Sequence, residues 1–414
     1  MQDRPENPVS AFSGNHTCGD RVAETTHSKM ALMKVAIYNA SERYHGYSTG
    51  VGRHVIRMVA GLDRHPAFDV SFMVPSDFWE RDRLCGKGDI LSSVASVRLP
   101  LSRRMLAATS LTLNRPRIDT YGDAIDWVYS PREQLVSTRR AATAITIHDV
   151  YALEPAHRQT GLPRTRWQEI LWKKAVQRAS IILTVSEFSK GRICELLGAD
   201  SARVHVIGNG VEELFFEIAK ADPEQISPLA DTPYFLVVGG ITRKKGASNV
   251  LAFASRLRML SGKARVVVIG PVESPYEAQV RQARNIIRLE RGIPDEVIAR
   301  WLRGAVALLL LSNYEGFGIP ALEAMAAGVP VVGNSVASIP EVIGDAGLLI
   351  DATSKEQIDD AISLQFDKNL RDELVRRGQD RVEQWRWETC VNRLAQLLLQ
   401  GQGSYTPTGD LDEN

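Results

Sequence analysis

The sequence predicts an α/β protein built from two doubly wound, Rossmann-like domains facing each other across a cleft. Three features carry that expectation. At 414 residues the chain is too long for one small core and suits two domains of average size. Short β-branched runs alternate with longer amphipathic segments, the pattern of parallel sheets crossed by helices. A proline-broken stretch from Glu212 to Pro233, with Asp222-Pro223, Ser227-Pro228 and Asp231-Thr232-Pro233, interrupts the rhythm near the middle.

In the first half, strands are expected at 35–39, 69–74, 125–129, 143–147, 180–184 and 204–207. In the second half they fall at 234–238, 265–269, 306–310, 329–332 and 347–350. Strands buried on both faces of a parallel sheet are apolar throughout rather than alternating, and most of these are. The expected domains are 31–212 and 213–385, with the proline-rich stretch as the linker region. A final helix over 386–400, opening at Arg386-Trp387, can pack on either domain, including back on the first. Residues 1–30 lack the apolar core of a signal peptide and read as a disordered extension. Met30 or Met33 would begin the fold cleanly. The polar tail 401–414 also reads as disordered.

Composition narrows the function. Fifty Lys and Arg against 49 Asp and Glu leave a net charge of +1, so no polybasic affinity for nucleic acid is implied. The balance is uneven: residues 31–213 hold 25 basic and 19 acidic groups, and 214–400 hold 22 and 23. The longest apolar run, Ala305 to Leu311, falls far short of the ~20 residues a membrane-spanning helix needs. Cys18, Cys85, Cys194 and Cys390 lie far apart, with no CxxC pair and no histidine spaced for a metal. A reducing cytoplasm is therefore the expected compartment.

The most informative segment is Ser312-Asn-Tyr-Glu315-Gly-Phe-Gly-Ile-Pro320-Ala-Leu-Glu323, which follows the apolar strand 306–310. A glycine bend runs into a helix with Pro320 near its start, where the missing N–H costs nothing. The amides of Gly316, Phe317 and Gly318, with the helix N-terminus behind them, suit an anion or sugar oxygens. Carboxylates on both sides of such a site make little sense for phosphate alone; they make sense if both accept hydrogen bonds from hydroxyls. Taken singly, Glu315 is equally a surface loop charge and Glu323 a solvated helix residue.

Glu315-Gly-Phe-Gly-Ile-Pro-Ala-Leu-Glu323 resembles the Glu-x7-Glu signature of retaining glycosyltransferases of family 4, which have the two-domain GT-B fold. The similarity runs over about 34–400. It takes in Gly50-Val-Gly52-Arg-His, Thr146-Ile-His148-Asp149, Val185-Ser186-Glu187-Phe188-Ser189, Val206-Ile-Gly-Asn209-Gly210, Lys245-Gly246 and Ile339-Pro340-Glu341-Val342. The resemblance implies an acceptor-side first domain and a nucleotide-sugar-binding second domain. It implies that Glu315 binds donor-sugar hydroxyls, that Glu323 holds the ribose, and that the 316–318 backbone covers sugar and diphosphate. Gly50 would approach the diphosphate or acceptor, and His148 the sugar near its 6-hydroxyl.

A departing diphosphate needs positive charge, which Arg243-Lys244-Lys245 supplies. Lys245 matches the family lysine. Where the family usually places an early arginine stands Gly240, so either Arg243 or Lys244 would fill that role. The alternative for the three residues is a solvated basic turn. Ser186 and Glu187 are expected to cap a helix over 187–197, Asn209 to shape the cleft, and Glu341 to be a helix residue near the nucleotide. Residues 97–118 hold five arginines, no acid and several leucines. That composition fits either an ordinary basic helix and loop or a peripheral contact with anionic lipid on the inner membrane.

The reaction these readings imply is metal-independent transfer of a hexose from a nucleotide-sugar donor to a saccharide or polyprenyl-diphosphate-linked acceptor, with no other cofactor. The wording most resembles bacterial mannosyl- and rhamnosyltransferases of exopolysaccharide and O-antigen assembly, which points to GDP-mannose. UDP-glucose and dTDP- or GDP-rhamnose are the alternative donors, and a nucleotide-sugar epimerase shares the fold. A glycosidase would need carboxylates on opposite sides of the scissile bond, which eight residues across one bend do not suit. A non-catalytic sugar-binding protein has no need of the paired glutamates.

Overall fold

The computed structural model describes residues 32–38, 49–79, 94–156, 163–289 and 292–401. The expectations for 1–30 and for the tail beyond Gly401 lie outside the described residues.

Between Met33 and Val206 seven strands form one parallel sheet: β1 (Met33–Ile37), β2 (Phe68–Val74), β3 (Ala95–Arg98), β4 (Trp127–Ser130), β5 (Ala142–Thr146), β6 (Ile181–Thr184) and β7 (Val204–Val206). Their order is β3-β2-β1-β4-β5-β6-β7. Six more form a second parallel sheet: β8 (Tyr234–Val238), β9 (Arg265–Ile269), β10 (Ile286–Leu289), β11 (Ala307–Leu310), β12 (Val331–Asn334) and β13 (Leu348–Ile350). Their order is β10-β9-β8-β11-β12-β13. Each sheet reverses direction once, between β1 and β4 and between β8 and β11. At such switch points the loops leaving the strands diverge and open a crevice.

The helices that bear on the site are α1 (Gly50–Arg64), α2 (Arg103–Leu113), α3 (Pro163–Arg178), α4 (Glu187–Leu197), α5 (Ala247–Leu260), α6 (Asp295–Arg303), α7 (Ile319–Ala326) and α8 (Trp387–Gly401). The segment read as linker contains two short helical pieces, Glu213–Ile218 and Pro223–Ile226, the latter N-capped by Asp222 with proline in its first turn. Helix α8 buries Trp387, Cys390, Val391, Leu394 and Leu398 in the core of the first sheet, beside Val59 and Leu62 of α1. The last described helix therefore packs on the layer of the first strand.

Two strands were not legible from the sequence, β3 and β10, and each is the outer edge of its sheet. Ala-Ser-Val-Arg and Ile-Ile-Arg-Leu are only partly covered. An edge strand with one solvated side keeps polar residues that a central parallel strand excludes, so the apolar run used to find strands is missing there.

Candidate active site

The second sheet contributes the loops leaving its two switch-point strands. After β8 the chain turns through Gly239 and Gly240 into Arg243-Lys244-Lys245; after β11 it turns through Ser312 to Gly318 into α7. Lys245 Nζ donates to Glu315 Oε1 at 2.7 Å, and Ser312 Oγ donates to the same oxygen at 2.6 Å. Glu315 is buried, and its Oε2 makes no hydrogen bond among the described residues. Gly240 has φ +86°, and a Cβ there would lie 2.1 Å from the Pro271 carbonyl oxygen. No side chain fits there, so any cation this loop offers the cleft comes from the turn beyond.

The three cations of that turn are used differently. Lys244 Nζ crosses to Asp149 Oδ2 at 2.7 Å and lies 5.0 Å over the Tyr151 ring and 5.6 Å over that of Tyr314. Burial raises the Asp149 pKa, but Lys244 outweighs it and holds the carboxyl below the usual range. Arg243 is exposed; its backbone N–H donates to Glu273 at 2.8 Å and its carbonyl accepts from Asn313 at 2.9 Å. Among the described residues its guanidinium makes no hydrogen bond.

Helix α7 begins at Gly318, and the amides of Gly316, Phe317 and Gly318 donate to no acceptor among the described residues. Phe317 itself is core, its ring 5.1 Å from that of Trp385, so only its backbone faces the bend. The Gly316 carbonyl accepts from Ser186 Oγ at 2.7 Å and Ser189 Oγ at 3.1 Å. A Cβ on Gly316 would lie 2.5 Å from the His148 carbonyl oxygen, so only glycine permits this approach. Gly50, first residue of α1, sits so near the start of α7 that a Cβ on it would meet Ile319 Cδ1 at 3.1 Å. Two helix N-termini, each with roughly half a positive charge, thus come together beside Lys245. An anion between them relieves that repulsion.

Glu323 lies within α7 and is only 4% exposed. Its Oε1 accepts from Arg53 Nη1 of α1, while Arg53 Nη2 donates to both oxygens of Asp295, at 3.0 and 3.1 Å. Burial raises the Glu323 pKa and Arg53 opposes the rise; burial likewise disfavours the Arg53 charge, but Glu323, Asp295 and Glu212 hold it on. Glu323 Oε2, like Glu315 Oε2, makes no hydrogen bond among the described residues. Each glutamate therefore has one oxygen fixed by a cation and one left over.

His148 follows β5 at the C-terminal edge of the first sheet. Its Nε2 lies 3.1 Å from the Pro131 carbonyl, which can only accept, so Nε2 carries the hydrogen and Nδ1 is the acceptor. The ring of His54 packs edge-on against it at 4.7 Å, and His54 Nδ1 lies 2.7 Å from Asn209 Oδ1. Burial pushes His54 down to about 3 and lowers His148 as well, so both rings are neutral.

Ser186 N-caps α4, its Oγ accepting from Ser189 N at 3.0 Å. The Glu341 carboxylate accepts from the Glu187 and Phe188 amides at 2.8 and 3.1 Å, across the gap between the sheets. The residues sequence reasoning missed are Arg53 and Asp295. Arg53 stands inside the Gly50-Val-Gly52-Arg-His segment, and an arginine at the start of a helix, where a positive pole disfavours it, was the available signal.

Two parallel, doubly wound sheets whose switch-point loops meet around paired glutamates and a lysine define a nucleotide-sugar transferase of the GT-B fold. Residues 48–213 match the model of Glycosyltransferase Family 4 and residues 219–381 that of Glycosyl transferases group 1. The alpha-maltose-1-phosphate synthase of Mycolicibacterium smegmatis is 30% identical over 84% of this chain and 94% of its own. The O-antigen chain mannosyltransferase B of Escherichia coli is 29% identical over 71% and 80%. Among solved structures, sucrose-phosphate synthase from Thermosynechococcus elongatus superposes with TM-score 0.70 at 18% identity, covering 90% of this chain and all of that one. WaaG, a glycosyltransferase involved in lipopolysaccharide biosynthesis, gives 0.66 at 16% identity over 88% and 99%. The chain belongs to the GT-B glycosyltransferases, its two halves matching family 4 and group 1, and takes its sugar from a nucleotide diphosphate donor.

Proposed function

We propose that the chain is a retaining hexosyltransferase moving mannose from GDP-mannose to a hydroxyl of a polyprenyl-diphosphate-linked saccharide, without a metal ion. The observation that carries the reading is the meeting of two helix N-termini beside Lys245, with a half-satisfied glutamate on each flank. The diphosphate lies against the amides of 316–318, the first turn of α1 at Gly50, and Lys245. Glu315 Oε2 accepts from hydroxyls of the donor sugar, Glu323 Oε2 from the ribose, and His148 Nδ1 from the 6-hydroxyl. Arg243, whose guanidinium makes no hydrogen bond among the described residues, is the second cation at the diphosphate, while Lys244 pairs with Asp149. Among the described residues no three His, Cys, Asp or Glu side chains are grouped to hold a metal ion. The cations and helix ends take that role.

In the reaction the bond from the sugar's anomeric carbon to the β-phosphate oxygen breaks while the acceptor oxygen bonds the same face. The acceptor proton passes to the departing phosphate oxygen. Lys245 stabilises the charge that builds on that phosphate. The mannosyltransferase relative supports mannose as the sugar. The synthase relative, named for a glucose disaccharide, keeps a glucosyl donor as the second reading. A thermal-shift panel of GDP-mannose, UDP-glucose, ADP-glucose and dTDP-rhamnose decides between them. A ligand bound at 100 times its Kd adds about 2.7 kcal/mol to stability. We expect GDP-mannose alone to raise the melting temperature; a rise with UDP- or ADP-glucose alone replaces mannose.

The lipid-linked acceptor rests on the first half of the chain. Helix α2 exposes Met105 and Leu113 beside Arg103 and Arg104, and α3, packed against it, exposes Trp167 and Ile170. Apolar side chains among cations suit an anionic bilayer surface. Flotation with vesicles containing anionic lipid should bind the wild type and lose Met105→Asp/Trp167→Asp; equal binding by both discards this contact.

A further inference from the structure

We infer that Arg53 is a positioning residue for donor binding: reaching over from α1, it fixes the Glu323 carboxylate so that Oε1 faces the guanidinium and Oε2 is left for the ribose diol. The inference rests on the role proposed for Glu323 above. Arg53 and Glu323 are 270 positions apart in the chain and both are buried. Asp295, at the start of α6, takes Nη2 with both of its oxygens, and this contact and the one from Nη1 to Glu323 together hold the guanidinium. Nη1 meets a single oxygen of Glu323. The fixed order is Asp295, then Arg53, then Glu323, with the free oxygen at the end.

Charge counting gives Arg53 a second task. The charges acting on Glu323 are Arg53, Asp295 and Glu212, one cation and two carboxylates. Glu212 is satisfied elsewhere, by the Arg57 guanidinium and by Trp387 Nε1 at 3.2 Å. Without Arg53 the buried Glu323 faces Asp295 with no cation of its own, which favours its protonated form, and a protonated carboxyl is a poorer acceptor for two hydroxyls. Arg53 belongs to the first sheet's layer and Glu323 to the second, so the ribose contact is complete only when the two halves meet.

The test measures steady-state kinetics for Arg53→Gln, Arg53→Lys and Asp295→Asn, using whichever sugar nucleotide stabilises the wild type in the melting panel. The ribose is remote from the breaking bond, so its contact is made equally in ground and transition states and its loss appears in KM. Arg53→Gln should raise donor KM by at least about tenfold at neutral pH, with kcat within about threefold. Its KM should fall as pH rises, and more steeply than that of the wild type, since burial raises the Glu323 carboxyl and the variant lacks the cation that opposes the rise. Arg53→Lys should keep the wild-type profile. If Arg53→Gln does not fold, Asp295→Asn carries the test, with a KM rise and unchanged kcat. Equal losses in kcat and KM with no pH dependence, or wild-type KM throughout, overturn the positioning role. A wild type that binds no sugar nucleotide overturns the site reading instead.

Discussion

The two halves of the proposed site differ in the groups they turn toward the cleft. The second half presents charge: Lys245 on Glu315, Arg243 exposed beside them, and Glu323 buried. The first half spends its charges inside the protein, Arg53 on Glu323 and Asp149 on Lys244, and leaves neutral, desolvated groups: His148 with Nε2 committed to Pro131, and His54 committed to Asn209. The difference follows the chemistry. A sugar nucleotide brings a diphosphate that needs cations and diols that need carboxylates. A sugar hydroxyl needs only one lone pair, held still. A full charge there would have to be desolvated for little return.

The largest test of that contrast removes the charged half. Lys245→Ala should lower kcat by about 10²-fold, the typical loss when one group that stabilises a leaving anion is deleted. Glu315→Ala should cost at least about tenfold, the value of one charge-assisted contact. Transfer rates near wild type in both would place the diphosphate elsewhere. The same experiment sharpens the division of labour in the basic turn. Arg243→Ala should lower donor affinity, while Lys244→Ala, which breaks the Asp149 pair, should chiefly lower the melting temperature.

How far the sequence could be read follows from what each residue answers to. Central strands answer to burial on both faces, so Tyr234 to Val238 and Arg265 to Ile269 stand out as apolar runs at the boundaries observed. Edge strands answer to water on one side and did not stand out. The glutamate–glycine bend was legible because helix starts, glycine and proline constrain the local backbone. Arg53–Glu323, Lys244–Asp149 and Glu341 on the α4 amides were not legible as pairs. Each joins residues far apart in the chain, and spacing says nothing about contacts made by tertiary packing. Gly240 lay between these cases: the missing arginine was visible, the Pro271 carbonyl that leaves no room there for a side chain was not.

The neutral half makes a second, smaller prediction, in stability rather than rate. Burial pushes His54 down to about 3, whereas an imidazole in the unfolded chain titrates near 6.5. Between those values the unfolded state binds the proton that the folded state refuses, so stability falls as pH drops below about 6.5. Melting curves from pH 8 to 4 should therefore fall more steeply for the wild type than for His54→Leu. Parallel curves would mean that His54 is not kept neutral.

The smallest expected effect concerns the seam itself. Ser186 Oγ caps α4 and donates to the Gly316 carbonyl, and the Glu341 carboxylate accepts from the next two amides. Both contacts hold the positive end of a helix from the first half against the bend of the second. Losing a cap costs about 0.5–2 kcal/mol, and a carboxylate at a helix N-terminus contributes ~0.3–1 kcal/mol. Ser186→Ala should therefore lower stability by about 1 kcal/mol and Glu341→Gln by less, since the amide oxygen still accepts one bond. If these contacts only staple the fold, donor KM will not move in either variant. If they set the approach of the two halves, KM will rise in both, because Arg53 can reach Glu323 only across the same seam. Melting temperature and donor KM measured together on the two variants separate these outcomes.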